Sequence, residues 1–74
     1  MITEHSLVVL NEDRAANGLH RGDVGSVVFV HNDGEAYEVE FVDGAGTTVS
    51  LVTLESDAIR SLAPGEMLHT RRRD

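Results

Sequence analysis

The stretch Gly18–Val42, GLHRGDVGSVVFVHNDGEAYEVEFV, decides the fold. Val24 to His31 and Ala36 to Val42 are rich in β-branched and aromatic residues and bounded by turn formers, the pattern of two half-buried strands. Between them, Gly34 is free to take positive φ, and Asn32 and Asp33 can bond their own backbone. The three residues predict a hairpin with a glycine-containing loop. In the second strand of this pair Tyr37, Val39 and Phe41 share one face and Glu38 and Glu40 the other, which predicts a core side and two carboxylates on solvent. In the first strand Val24, Val28 and Val30 fall on one side and Val27 and Phe29 on the other. Neither side is polar, so burial on both faces is expected.

Working outward, Gly18 and Gly22 bracket Leu19-His20-Arg21 and predict a tight turn that tucks Leu19 under the sheet. Gly25, early in its strand, predicts a bulge or a close backbone approach. Upstream, Leu7–Leu10 reads as a strand, and the polar run Asn11–Asn17 as a loop in preference to a helical turn. Downstream, Asp43-Gly44-Ala45-Gly46 reads as a turn and Thr47 to Leu54 as a fourth strand. Glu55 to Ala58 breaks that run as a single 3₁₀ turn, and Ile59 to Leu62 alternates as a short fifth strand. Residues 1–62 therefore form one all-β domain, and residues 63–74 a C-terminal tail. Five strands, a long loop between the first two and a 3₁₀ turn before the last are the order of a small SH3-like barrel, whose closure would protect strand edges.

Composition narrows the function. The chain has 74 residues, thirteen acidic and six basic, with no lysine and a formal net charge of −7. A nucleic-acid binder draws most of its nonspecific affinity from Lys and Arg on phosphates. Here only Arg14, Arg21 and Arg60 precede the terminal Arg71-Arg72-Arg73, so nucleic acid is disfavoured and a basic protein partner is favoured. A domain this short buries only about 60–65% of its unfolded surface, which leaves a homodimer or a bound partner as a further source of stability. Without cysteine there are no disulfides, thiol nucleophiles or Cys-based zinc sites. That absence suits a reducing, cytoplasmic setting. The apolar runs Leu7–Leu10 and Val27–Val30 are far shorter than the roughly 20 residues of a membrane-crossing helix, so no membrane association is expected.

Gly18-Leu19-x-Arg21-Gly22-Asp23-Val24-Gly25-x-Val27-Val28, then Tyr37-Glu38-Val39-Glu40-Phe41, Thr53-Leu54 and Ile59-Arg60-x-Leu62, resembles a family of small bacterial, largely cyanobacterial, domains of unknown function. The resemblance covers about residues 5 to 62. It implies an SH3-like barrel related in shape to the β-subunit barrel of nitrile hydratase and to small barrels of nitrogen-fixation and ferredoxin-thioredoxin reductase proteins. It implies no reaction. Some members are encoded beside toxin-like domains, which implies an antitoxin or immunity role.

The individual motifs give restrained expectations. Arg21-Gly22-Asp23 leads straight into a strand, so Gly22 is expected to make the turn and Asp23 to bond nearby amides or Arg21. The same segment resembles a KOW-type RNA-contacting element, which the acidic balance opposes. His5, His20, His31 and His69 lack metal-ligand spacing, so no metal and no cofactor are expected. Glu38 and Glu40 could act as an acid/base pair if their pKa values were pushed apart, but two strand carboxylates ordinarily solubilise. A filled small barrel also lacks a substrate cleft. A proline-rich peptide needs an aromatic groove, and Phe29, Tyr37 and Phe41 are the whole aromatic supply. Strand-edge pairing is open along Leu7–Leu10 or Thr47–Thr53. The leading expectation is a non-catalytic, antitoxin- or immunity-type module that meets a basic protein through Glu38, Glu40, Tyr37, Arg21 and Asp23. The alternatives are an accessory subunit of a larger enzyme and a KOW-like RNA-associated barrel.

Overall fold

In the computed structural model, residues 2–42, 48–63, 65 and 66 are described, with Thr48 and Val49 through their backbone alone. Five antiparallel strands, β1 (Leu7–Leu10), β2 (Val24–His31), β3 (Ala36–Val42), β4 (Thr48–Glu55) and β5 (Ile59–Ser61), build an all-β fold. They form one open sheet in the order β4-β3-β2-β1-β5. The turn expected at 43–46, His69 and the arginines at 71–73 lie outside the described residues.

The alternation in β3 organises the inner face. Val39 lies between Val27 of β2 and Val52 of β4, and Tyr37 between Val30 and Leu54. Val8, Leu10, Val27, Val39 and Leu54 are almost wholly buried. Each such side chain contributes about 1.5–3 kcal/mol when fully withdrawn from water. Leu19 joins this cluster from the loop, carried there by the turn between Gly18 (φ 70°) and Gly22 (φ 96°), as the sequence predicts.

The β2–β3 turn also follows its sequence. Asn32, Asp33 and Gly34 all take positive φ, which short polar residues and glycine tolerate best. Gly34 and Glu35 both donate their amides to the His31 carbonyl. Gly25 makes the close approach rather than the bulge. A Cβ placed there would lie 2.7 Å from Val39 Cγ1 and 2.9 Å from the Glu40 carbonyl and Phe41 Cδ2.

The bulge falls instead between Val27 and Phe29, where Val27 opposes Val39 but Phe29 already opposes Glu38. Val28 is the extra residue, and it resets the alternation for the rest of the strand. Burial on both faces of β2 is therefore replaced by another arrangement. Val27 and Val30 point inward, while Val28 and Phe29 are exposed.

Two short 3₁₀ turns complete the frame. One, at Ala15–Asn17, stands within the polar connection read as plain loop. Its Asn17 carbonyl accepts from Ser50 Oγ at 3.3 Å, which ties the connection to β4. The other, at Ser56–Ala58, joins β4 to β5 and places Ala58 in the core. Strand β4 extends to Glu55 and β5 ends at Ser61, each one residue from the sequence expectation. Strand β1 is paired on both sides, by β2 and β5, so it offers no edge to a partner. The sheet's edges are β4 and β5.

Candidate functional site

The residues that point away from the core form rows across the sheet, fixed by strand register. Leu7 opposes Ser26, Ser26 opposes Glu40, and Glu40 opposes Leu51. A second row runs Phe29, Glu38, Thr53, and a third His31, Ala36, Glu55. Hydrocarbon is unusually open here. Leu51 is 61% exposed, Phe29 49%, Val42 46% and Leu7 43%. Phe29 stands on this face because of the bulge at Val28. Without that extra residue it would join the core side.

Three carboxylates, Glu38, Glu40 and Glu55, are interleaved with these apolar groups, and the three rows contain no lysine or arginine. Glu38 is half-buried and held from both neighbouring strands. Thr53 Oγ1 donates to its Oε2 at 2.7 Å, and His31 Nε2 lies 2.9 Å from the same oxygen. The hydroxyl bond from Thr53, then the imidazole contact, lower the Glu38 pKa below its ordinary value of 4.5. The His31 ring meets Phe29 edge to face, with centroids 4.8 Å apart.

That arrangement holds the Glu38 carboxylate from two strands. Thr53 donates its hydroxyl to Glu38, and a lowered carboxyl pKa is the reverse of the raised one that a carboxylic proton donor near neutrality needs. Among the described residues no group of three or more His, Asp or Glu side chains is placed to hold a metal ion. No helix of the described residues is long and apolar enough to cross a membrane.

Beside the Glu38 cluster lies a groove of about 320 Å³, lined by Leu7, Val24, Gly25, Ser26, Glu40 and Val42. Ser26 is its low point, a short side chain between Leu7 and Glu40 in the first row. Glu40 is half-buried in the wall.

The remaining residues singled out in the sequence lie apart from this face. Tyr37 is 3% exposed and packs in the core, so it offers a partner no surface. Its place on the inner face follows from the same alternation that turns Glu38 outward. Asp23 accepts the His20 amide on Oδ2 at 2.9 Å, and the Arg21 amide donates to Asp13 Oδ1 at 2.8 Å. Arg21-Gly22-Asp23 is thus a braced turn, as its structural reading predicts. Near the end of the described chain, Glu66 accepts from both terminal nitrogens of Arg60 and from the Ala63 amide. These bonds push its pKa down to about 2.

Sequence reasoning passed over Phe29, Leu51, Leu7, Val42 and the His31–Thr53 pair. Leu51 and Val42 left a signal, as apolar residues at outward positions of their strands. The others needed the bulge and the cross-strand register. Residues 4–61 match the family described as Domain of unknown function (DUF4926), and the chain belongs to that family. No curated protein and no solved structure matches it.

Proposed function

We propose that this DUF4926 domain is a non-catalytic protein-interaction module of SH3-like barrel architecture that holds a basic partner against its outer sheet face, in the manner of an antitoxin or immunity protein. The barrel reading rests on the strand order β4-β3-β2-β1-β5 and on the 3₁₀ turn between the last two strands. The interaction reading rests on one observation above the rest. Exposed Leu7, Phe29, Val42 and Leu51 share a face with Glu38, Glu40 and Glu55, on a chain of net charge −7.

Each half of that combination has a distinct consequence. Exposed hydrocarbon supplies affinity when a partner covers it. A strongly negative chain attracts basic surfaces at long range and repels acidic ones. The immunity-type role is what the family resemblance adds, and a cysteine-free chain suits work in the cytoplasm. With Tyr37 and Phe41 in the core, Phe29 stands alone as an exposed aromatic, which opposes proline-rich peptide recognition.

The test is co-expression with any basic protein encoded beside this chain, followed by size-exclusion chromatography and affinity measurement across a salt series. A stoichiometric complex that weakens with salt and is lost in the Glu38→Lys/Glu40→Lys double variant is the expected result. Recovery of RNA in place of a protein, or a complex indifferent to both salt and the double variant, would overturn the reading.

A further inference from the structure

We infer that two copies of this chain pair antiparallel along β4, joining their sheets across a twofold axis at Val52. The pairing does not depend on a basic partner, because it uses the strand edge and leaves the outer face to be covered by something else.

Main-chain direction alternates along a strand, so the bonds at β1 fix it across the whole sheet. Val27 accepts from the His5 amide at 2.7 Å and donates to the Ser6 carbonyl at 2.9 Å, which turns its main chain toward β1. Ser26 therefore turns toward β3, where Glu40 faces it, and Val39 turns the other way, toward Val52 of β4. On either side of Val52, the main chains of Leu51 and Thr53 then point away from the sheet. Among the described residues no strand lies beyond them, and no backbone bond joins either one to a loop or turn.

The two edges of the sheet are unlike. Strand β5 has three residues, and its Arg60 is bridged to Glu66. Strand β4 has eight, TVSLVTLE, in unbroken register with β3 from Ser50 to Glu55. It carries no lysine, arginine or proline and no bulge over that span, the devices that ordinarily keep edges apart, and its one charge stands at the end.

The symmetry of the strand selects a second copy as the occupant. With Val52 on the axis, Leu51 faces Thr53 of the second copy and Thr53 faces its Leu51. Each unpaired donor and acceptor meets its complement, and the exposed Leu51 side chain lies against a threonine. The two Glu55 carboxylates fall at opposite ends, about 20 Å apart along the strand. That exceeds the screening length of about 8 Å at physiological salt, so the net charge of −7 on each chain weakens the contact without forbidding it. A basic strand from another protein would meet a single charge along β4. An edge that pairs with itself closes at two copies.

The experiment follows backbone amide exchange by NMR in the full chain, dilute and concentrated, beside sedimentation velocity. The Leu51 and Thr53 amides should exchange freely in the dilute sample and slow about tenfold in the concentrated one, the factor for a sample nine-tenths dimeric. Val52 and Leu54, bonded to β3, should be protected in both. Leu51→Pro removes a donor that the single chain leaves unbonded, so it should keep a dispersed spectrum and sediment as a monomer, whereas Leu51→Ser, which retains the donor, should still pair. Added salt should tighten this dimer, the reverse of its effect on a complex with a basic protein. Leu51 and Thr53 amides that stay unprotected at every concentration, a dimer that survives Leu51→Pro unchanged, or one that salt loosens would each overturn the pairing. Should Leu51→Pro fail to fold, the exchange pattern of the unaltered chain decides alone.

Discussion

On the inner face, Val27, Val39 and Val52 stand side by side on three strands, each touching hydrocarbon and sealed from water. One residue along, on the outer face, Leu7, Ser26, Glu40 and Leu51 make a row across four strands in which two polar groups stand between two leucines. The two rows share a backbone and a register but not a purpose. The inner row has every contact it needs from within the chain. In the outer row Leu7 and Leu51 are 43% and 61% exposed, hydrocarbon that the fold leaves largely in water. The comparison teaches where to look for stability and where to look for binding, and substitutions on the two faces should separate cleanly.

The largest effect belongs to the inner face. Leu54 is fully buried at the centre of the core, and Leu54→Ala should cost about 2–5 kcal/mol in urea-induced unfolding. A domain of this length holds roughly 4–11 kcal/mol in all, so much of the variant population should be unfolded under mild denaturant. Next comes Gly25→Ala. The added methyl would press on the Glu40 carbonyl and on Val39 and Phe41, and backbone cannot yield as a flexible side chain can. A loss of about 1–3 kcal/mol is expected, read as a lower urea midpoint with unchanged slope. A neutral Gly25→Ala would mean that β2 and β3 do not approach as closely as described.

How far each face was legible in the sequence follows from its pattern. The inner face of β3 could be read directly, because Glu38 and Glu40 interrupt Tyr37, Val39 and Phe41 at every second position. The outer face of β2 could not. Val27-Val28-Phe29-Val30 is apolar throughout, so inserting one residue leaves no break in the alternation, and the shift that turns Phe29 outward is silent. The meeting of His31, Glu38 and Thr53 was hidden for another reason. It depends on the loop length of one hairpin and the register of a second strand pair, neither of which is a local property. Tyr37 shows the same limit from the other side: the alternation that called it core was correct, and its aromatic character pulled it into the list of contact residues nonetheless.

Leu51→Ser sharpens the contrast at smaller amplitude. Leu51 is the chain neighbour of the core residue Val52 on β4, yet it is the most exposed of the large apolar residues on the face. Its loss should change stability by no more than about 0.5 kcal/mol, while weakening the complex with a basic partner in the same salt series. If Leu51→Ser instead destabilised the free chain as severely as Leu54→Ala, the two faces would be equally structural and the outer one would have no spare hydrocarbon to give.

The smallest effect is electrostatic, and it probes whether the outer face holds its charge in place. Glu38 has a folded-state pKa below its ordinary 4.5, first because Thr53 donates to it and second because of His31. A lowered carboxylate stabilises the fold fully above the unfolded value, and that contribution disappears as pH falls through the folded value. The window for Glu38 therefore opens just below 4.5 and extends downward, whereas Glu66, gripped by Arg60 and the Ala63 amide, stays charged to about 2. Carboxyl NMR titration should find Glu38 below 4.5, and Thr53→Val should move its midpoint back up further than a change at His31 does. Both groups are open to water, so the stability at stake is small, as exposed polar contacts usually are. A Glu38 midpoint unchanged by Thr53→Val would mean that the hydroxyl does not hold the carboxylate, and that the face presents loose charge to a partner where a fixed one is required for register.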